Sequence, residues 1–150
     1  MTASSGSPLY PSSRATLAEY QAIVSRGLSG ALAIELVEVS AERVVATMPV
    51  NERTRQPFGV LHGGASMTLA ETAASLGAWS SIDSERFATF ALELNASHLR
   101  ATREGVVRAV ATPVHCGRTT QVWAIEIRDD AQRLVCLARC TMAVVALDAR

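Results

Sequence analysis

The sequence predicts an α+β domain, an antiparallel sheet packed around one long central helix. Three observations carry this. Segments rich in β-branched and aliphatic residues recur along the chain. A nearly uncharged stretch from Ala65 to Ile82 interrupts them, with Glu71 as its only ionisable side chain. The breaks between the later segments are short enough for hairpins. The coarse order is helix, two strands, long helix, four strands.

The first fourteen residues, rich in Ser and Pro, read as a flexible tail and lack the basic start and apolar block of a secretory signal. Residues 15–150 read as a single domain. Thr16-Leu17-Ala18-Glu19 has the spacing of a capping box, so a short helix is expected from about Leu17 to Arg26, stopped at Gly27. Leu32 to Val39 and Arg43 to Val50 have strand composition, and the three residues Ser40, Ala41 and Glu42 between them suit a hairpin.

After a polar loop and a Gly-rich turn, Ala65 to Ile82 predicts a helix of about 27 Å. Its small, apolar residues on every side lead us to expect a helix covered on most faces. The segments Ala88 to Leu99, Gly105 to His115, Thr119 to Arg128 and Arg133 to Leu147 then read as strands, with Pro113 marking an edge, bulge or bend.

Composition narrows the function classes. With 49% apolar and 19% charged residues, the chain has an ordinary globular balance, and no apolar run reaches membrane-spanning length. Formal charge is zero, which argues against a nucleic-acid binder, although all fourteen basic residues are Arg, a residue suited to bidentate phosphate contacts. Cys116, Cys136 and Cys140 are odd in number and lack paired spacing, so neither disulfides nor a zinc site is expected. Their place in apolar strands suggests buried, inert thiols, and a reducing cytoplasm fits them. His98 and His115 have no acidic partner at metal-ligand spacing and are expected to be core or surface residues; no metal is expected.

The chemistry concentrates in the long helix and its entrance. A carboxylate in an apolar helix costs free energy to bury unless something compensates or uses its charge. With the helix starting near Gly64, residues Gly64, Thr68, Glu71, Ser75 and Ala78 fall along one stripe. At the helix entrance, backbone N–H groups beside His62, Gly63 and Gly64 are expected to point outward, where they can polarise a carbonyl. Glu71 can then deprotonate a water or attack an acyl carbon, and Ser75, one turn on, can hold that water. The competing readings are plainer: Glu71 as a helix acid paired with an Arg, His62 as a hydrogen-bonded loop residue, and Thr68 and Ser75 bonded back to helix carbonyls. A lipase oxyanion loop is excluded because no Gly-x-Ser-x-Gly elbow is present.

Gln56-Pro57-Phe58-Gly59-Val60-Leu61-His62-Gly63-Gly64 followed by Ala70-Glu71-Thr72-Ala73-Ala74-Ser75 resembles the signature of hotdog-fold acyl-CoA thioesterases. The similarity is to the PaaI-like group that includes the glutamate-using type of 4-hydroxybenzoyl-CoA thioesterase. It extends from about Gly30 to Val145, taking in Asn95 to Arg100, Gly117 to Thr120 and Arg128 to Asp130.

The resemblance implies a six-stranded sheet wrapped on the helix, two subunits joining their sheets, a dimer-of-dimers homotetramer, and active sites shared between subunits. It implies Glu71 as nucleophile or general base, Gly63 N–H on the thioester carbonyl, Gln56 and His62 positioning the thioester, and Ser75 orienting water. Gly64, Thr68, Arg100, Arg103, Arg118, Thr119, Thr120 and Arg128 become candidates for substrate or CoA contacts. Coenzyme A would enter only as part of the substrate, with no separate cofactor. The function expected is hydrolysis of an aromatic or medium-chain acyl-CoA. A dehydratase or hydratase acting on an acyl thioester, and a non-catalytic acyl-CoA binding module, are the alternatives.

Overall fold

A computed structural model describes residues 11–147. Two short helices, α1 (Leu17–Val24) and α2 (Gly27–Ala31), precede the hairpin of β1 (Glu35–Val39) and β2 (Val44–Pro49). The long helix α3 (Gly63–Ser80) follows, then β3 (Phe87–His98), β4 (Val106–Cys116), β5 (Thr120–Arg128) and β6 (Leu134–Ala146). The six strands form one sheet in the order β1-β2-β4-β5-β6-β3, antiparallel throughout. This is the α+β hotdog arrangement that the sequence predicts, with α3 packed against every strand.

Period-two alternation explains which side of the sheet meets α3. Val107, Ala109 and Ala111 of β4 and Trp123, Ile125 and Ile127 of β5 are fully buried and alternate with partly or fully exposed neighbours. They meet Leu69, Ala70, Ala73, Ala74 and Ala78 of α3, which recur at three- and four-residue spacing. At Gly77 a Cβ would lie 2.4 Å from Cη2 of Trp123, so only glycine lets the indole reach the helix backbone. Trp123 Nε1 donates to Gln121 Oε1 (2.9 Å), Gln121 Nε2 to Ser81 Oγ (2.8 Å), and Ser81 Oγ to the Ala78 carbonyl (2.8 Å). The buried indole and the C-terminal end of α3 are thereby tied to β5.

The helix is covered on most sides, as expected: the sheet buries one face, the α1–α2 segment partly covers the opposite one, and of its eighteen residues only Gly64 and Glu71 are exposed.

The N-terminal helix differs from expectation. The capping box forms, with Thr16 Oγ1 accepting Glu19 N–H (3.3 Å) and Glu19 Oε2 accepting Thr16 N–H (2.7 Å). The helix nevertheless ends at Val24, and the chain turns through Gly27 at φ +59° into α2. Gly30 permits this tight turn, since a Cβ there would lie 2.1 Å from the Ser25 carbonyl oxygen.

Of the tail expected over 1–14, residues 1–10 lie outside the described residues. Pro11 to Arg14 are tied to the fold: Trp79 Nε1 donates to the Pro11 carbonyl (2.9 Å), Tyr20 Oη to that of Ser13 (3.0 Å), and Ser13 N–H to Ser84 Oγ (2.9 Å). Pro113 coincides with a register shift between Pro113 and His115 where β4 meets β5, a bulge of the kind the sequence suggests. Among the described residues β3 pairs only with β6, so one edge of this twelve-residue strand is unpaired there, and Phe90 and Leu92 stand 57% and 65% exposed beside it.

Candidate active site

The entrance to α3 is a braced loop. Thr54 is buried; its hydroxyl donates to the Pro49 carbonyl (2.8 Å) and accepts Asn51 N–H (2.9 Å), while its carbonyl accepts His62 N–H (2.8 Å). Leu61 N–H donates to the Thr102 carbonyl at 2.7 Å, pinning the loop to the segment before β4. Gly59, at φ +76°, closes a tight turn in which Gln56 Oε1 accepts Phe58 N–H (2.7 Å). The Gln56 amide NH2 has no partner among the described residues.

The first turn of α3 leaves one donor unused. His62 is the N-cap, and its Nδ1 accepts Gly64 N–H at 2.8 Å. Ala65 and Ser66 N–H both donate to the His62 carbonyl (3.0 and 3.2 Å). Among the described residues Gly63 N–H has no partner, at the positive end of the helix dipole, as an oxyanion donor requires. Gly64 N–H is already engaged, so its part is to fix the His62 ring. His62 then presents Nε2 outward, and the hydrogen-bonded-loop reading describes only half of this residue.

His98, at the end of β3, completes the entrance. A Cβ on Gly63 would lie 2.9 Å from His98 Nε2, so the imidazole rests against the glycine whose N–H is free. The sequence reading assigned His98 no role, and its spacing from other polar groups gave no signal. The usable clue was its place at the end of a strand whose neighbours pack on α3.

Midway along α3, Thr68, Glu71, Thr72, Ser75 and Leu76 line one wall of an open cavity of about 340 Å³, and Val24, Leu28 and Ser29 of the α1–α2 segment line the other. Glu71 is exposed here rather than buried, which corrects the burial expected from sequence: the sheet covers the opposite face. It also has no ion pair. Among the described residues the pairs are Arg43–Glu38, Arg128–Glu126 and Arg133–Asp129, so the paired-acid alternative fails. Ala78 is fully buried and falls outside the open stripe; Gly64, Thr68, Glu71 and Ser75 remain in it.

The hydroxyls in this wall are not equivalent. Thr68 donates to the Gly64 carbonyl (2.9 Å) and Thr72 to that of Thr68 (2.7 Å), the back-bonding weighed as the plainer reading. Ser75 Oγ makes no hydrogen bond among the described residues, so its proton is available one turn from Glu71. Eight residues separate Gly63 from Glu71, roughly 12 Å along the axis. Gly63 and Glu71 of one chain are therefore too far apart to act together on one carbonyl.

The candidate CoA-contacting residues do not gather. Arg100 N–H donates to the Val135 carbonyl (3.3 Å) near the end of β3, and Arg103 Nη1 lies 3.9 Å from where a Gly59 Cβ would stand, so both belong to the entrance. Arg118, Thr119 and Thr120 occupy the β4–β5 turn, which Gln121 ties to Ser81 at the far end of α3. Arg128 is engaged with Glu126 (2.7 Å) and the Gln132 carbonyl (3.0 Å). The single chain therefore separates a group expected to act together, because strands β3 and β4 carry it to opposite ends of the helix.

Cys136 and Cys140 are buried, and burial, with the Glu71 and Glu93 carboxylates adding, pushes the Cys140 thiol up to about 11. Cys116 is exposed, contrary to the burial expected of all three. Among the described residues no three His, Cys, Asp or Glu side chains are grouped to hold a metal, and no helix is long and apolar enough to cross a membrane.

Comparison with known proteins bears on this arrangement. Residues 58–136, from the entrance loop into β6, match the family described as the thioesterase superfamily. ComA2 of Bacillus subtilis is 59% identical over 115 residues, covering 77% of this chain and 91% of that protein. The 1,4-dihydroxy-2-naphthoyl-CoA hydrolase of Listeria monocytogenes is 47% identical over 118 residues, 79% of this chain and 95% of the relative. Among solved structures, a mutant thioesterase of Pseudomonas aeruginosa superposes with a TM-score of 0.86 at 42% identity, covering 89% of this chain and 96% of the other. A hypothetical thioesterase of Streptococcus pneumoniae, solved with coenzyme A, gives 0.69 at 27% identity over 77% and 88%.

Proposed function

The chain belongs to the thioesterase superfamily and is a thioester hydrolase of hotdog fold acting on acyl-CoA, and from that premise we propose that it cleaves an aromatic acyl-CoA with Glu71 as the group that drives water onto the thioester. The observation that carries this reading is the contrast within α3: an unpaired carboxylate and a free hydroxyl, Glu71 and Ser75, line a cavity, and an unused N–H, Gly63, stands at the helix entrance. The name of the Listeria relative supports an aromatic acyl group, and Val24, Leu28 and Leu76 supply apolar cavity wall.

The separation of Gly63 from Glu71 supports a site shared by two copies, joined through the open edge of β3. Gly63 N–H of one copy polarises the carbonyl, with Gln56 Nε2 and His62 Nε2 beside it. Glu71 of the other takes a proton from a water held by Ser75. That water adds to the acyl carbon, the oxyanion rests on Gly63 N–H, and collapse breaks the C–S bond, releasing the acid and the CoA thiolate, which is protonated. Direct attack by Glu71, through an acyl anhydride, is the second form of the same reaction, and the free Ser75 hydroxyl favours the water route.

Within such a dimer, the entrance end of one helix faces the far end of its neighbour, so Arg100 and Arg103 of one copy and Arg118, Thr119 and Thr120 of the other can flank one CoA. Pairing of these dimers into a tetramer, a cytoplasmic location and the absence of any cofactor beyond the CoA of the substrate belong to the same proposal.

The test is thiol release from a panel of aromatic and medium-chain acyl-CoAs by the wild type and Glu71→Gln. Undiminished turnover in the variant would remove Glu71 from the mechanism. Products that gain or lose water with the thioester intact would favour a hydratase or dehydratase, and tight binding without any turnover a binding module.

A further inference from the structure

We propose that Ser29 and Thr72 form a specificity-determining pair that accepts a hydrogen bond from a hydroxyl or amino group on the acyl moiety; this rests on the reading above that the cavity holds that moiety. Ser29 stands in α2, and its Oγ lies 3.1 Å from Thr72 Oγ1, a bond that joins the two walls of the cavity.

Proton counting fixes what the pair offers. A Thr hydroxyl has one proton and two lone pairs. Thr72 donates its proton to the Thr68 carbonyl at 2.7 Å, so Ser29 is the donor in the Ser29–Thr72 bond. Both protons are then engaged, and the lone pairs left over face a wall otherwise built by Val24, Leu28 and Leu76. Thr68 is in the same condition, its proton being on the Gly64 carbonyl at 2.9 Å. Toward α2 the cavity therefore presents acceptors only, whereas beside Glu71 the Ser75 hydroxyl keeps its proton.

Acceptors in a half-enclosed apolar wall discriminate by proton content. A substrate hydroxyl or amine donates to them. A bare ring covers them and leaves them without water, which costs free energy. A carboxylate or carbonyl brings lone pairs against lone pairs and is the worst fit. A site built to pair with a donor rejects the analogue lacking it more strongly than an apolar wall rejects an added atom.

The experiment is calorimetric binding of non-hydrolysable S-phenacyl-CoA thioethers whose ring carries hydrogen, hydroxyl or carboxyl at the meta or para position. The wild type is expected to bind at least one hydroxyl isomer roughly tenfold more tightly than the unsubstituted ring, with the carboxyl forms weakest. Ser29→Ala and Thr72→Val should each bring that ratio to within about twofold, by weakening the hydroxyl forms and by relieving the desolvation that the bare ring suffers, and Thr72→Ser should restore it. A wild type without hydroxyl preference or without binding, or variants that keep the preference, would overturn the pair. The two readings fail separately: preferential binding with no thioester cleavage removes the hydrolysis and leaves the pair, while cleavage with no hydroxyl preference does the reverse.

Discussion

The two long faces of α3 use similarly small side chains toward opposite ends. On the face turned to the sheet, Ala70, Ala73, Ala74, Gly77 and Ala78 are small so that Trp123 and the aliphatic residues of β4 and β5 can close on the backbone. On the other, Thr68, Thr72 and Ser75 are small and leave a cavity with Glu71 in it. Smallness brings a partner close in one case and keeps space open in the other. With Glu71 and Ser75 in the roles proposed above, the first face belongs to packing and the second to chemistry, so substitutions should affect one property and spare the other.

The largest expected effect tests that separation. Glu71→Gln should lower kcat/KM about a thousandfold, about 4 kcal/mol of transition-state stabilisation, while folding free energy stays within about 0.5 kcal/mol because the side chain is exposed and unpaired. A large loss of stability in chemical denaturation would show that the open face also holds the fold.

The converse variant is Gly77→Ala. Helix propensity alone would stabilise it by about 1 kcal/mol. The added methyl must displace the buried Trp123 ring, and overpacking of that kind costs about 1–3 kcal/mol, so a net loss of about 0–2 kcal/mol is expected with kcat little changed. A more stable variant would mean that the indole has room to move.

Two hydroxyl variants sharpen the comparison within the open face. Ser75→Ala removes the free donor beside Glu71 and should lower kcat about tenfold, measured at saturating acyl-CoA. Thr68→Val removes a hydroxyl already bonded to the Gly64 carbonyl, and turnover should stay within about threefold. Equal effects would mean that hydroxyl availability does not decide function here.

Much of this was legible in the sequence because it is local. The capping box at Thr16 and Glu19, the hairpin around Ser40 and the entrance from Gln56 to Gly64 depend on neighbours a few residues away. What was not legible depends on distant segments. The openness of Glu71 follows from the sheet covering only one helix face. α2 consists of Gly27, Leu28, Ser29, Gly30 and Ala31 with no side-chain cap, and its form is set by packing against α1 and α3. His98 meets Gly63 only because β3 ends beside the entrance, and Arg118 parts from Arg100 because strand direction carries them to opposite ends of α3.

The contact between Gly77 and Trp123 carries a consequence for how such a protein changes over generations. With no spare atom allowed at that position, the sheet-facing residues of α3 are frozen together, and a new side chain there needs a compensating change in β5. Positions 68 and 75 bear no such coupling, so they can drift singly while the fold persists. Appetite for new acyl groups can therefore evolve one residue at a time along a helix whose other side stands still.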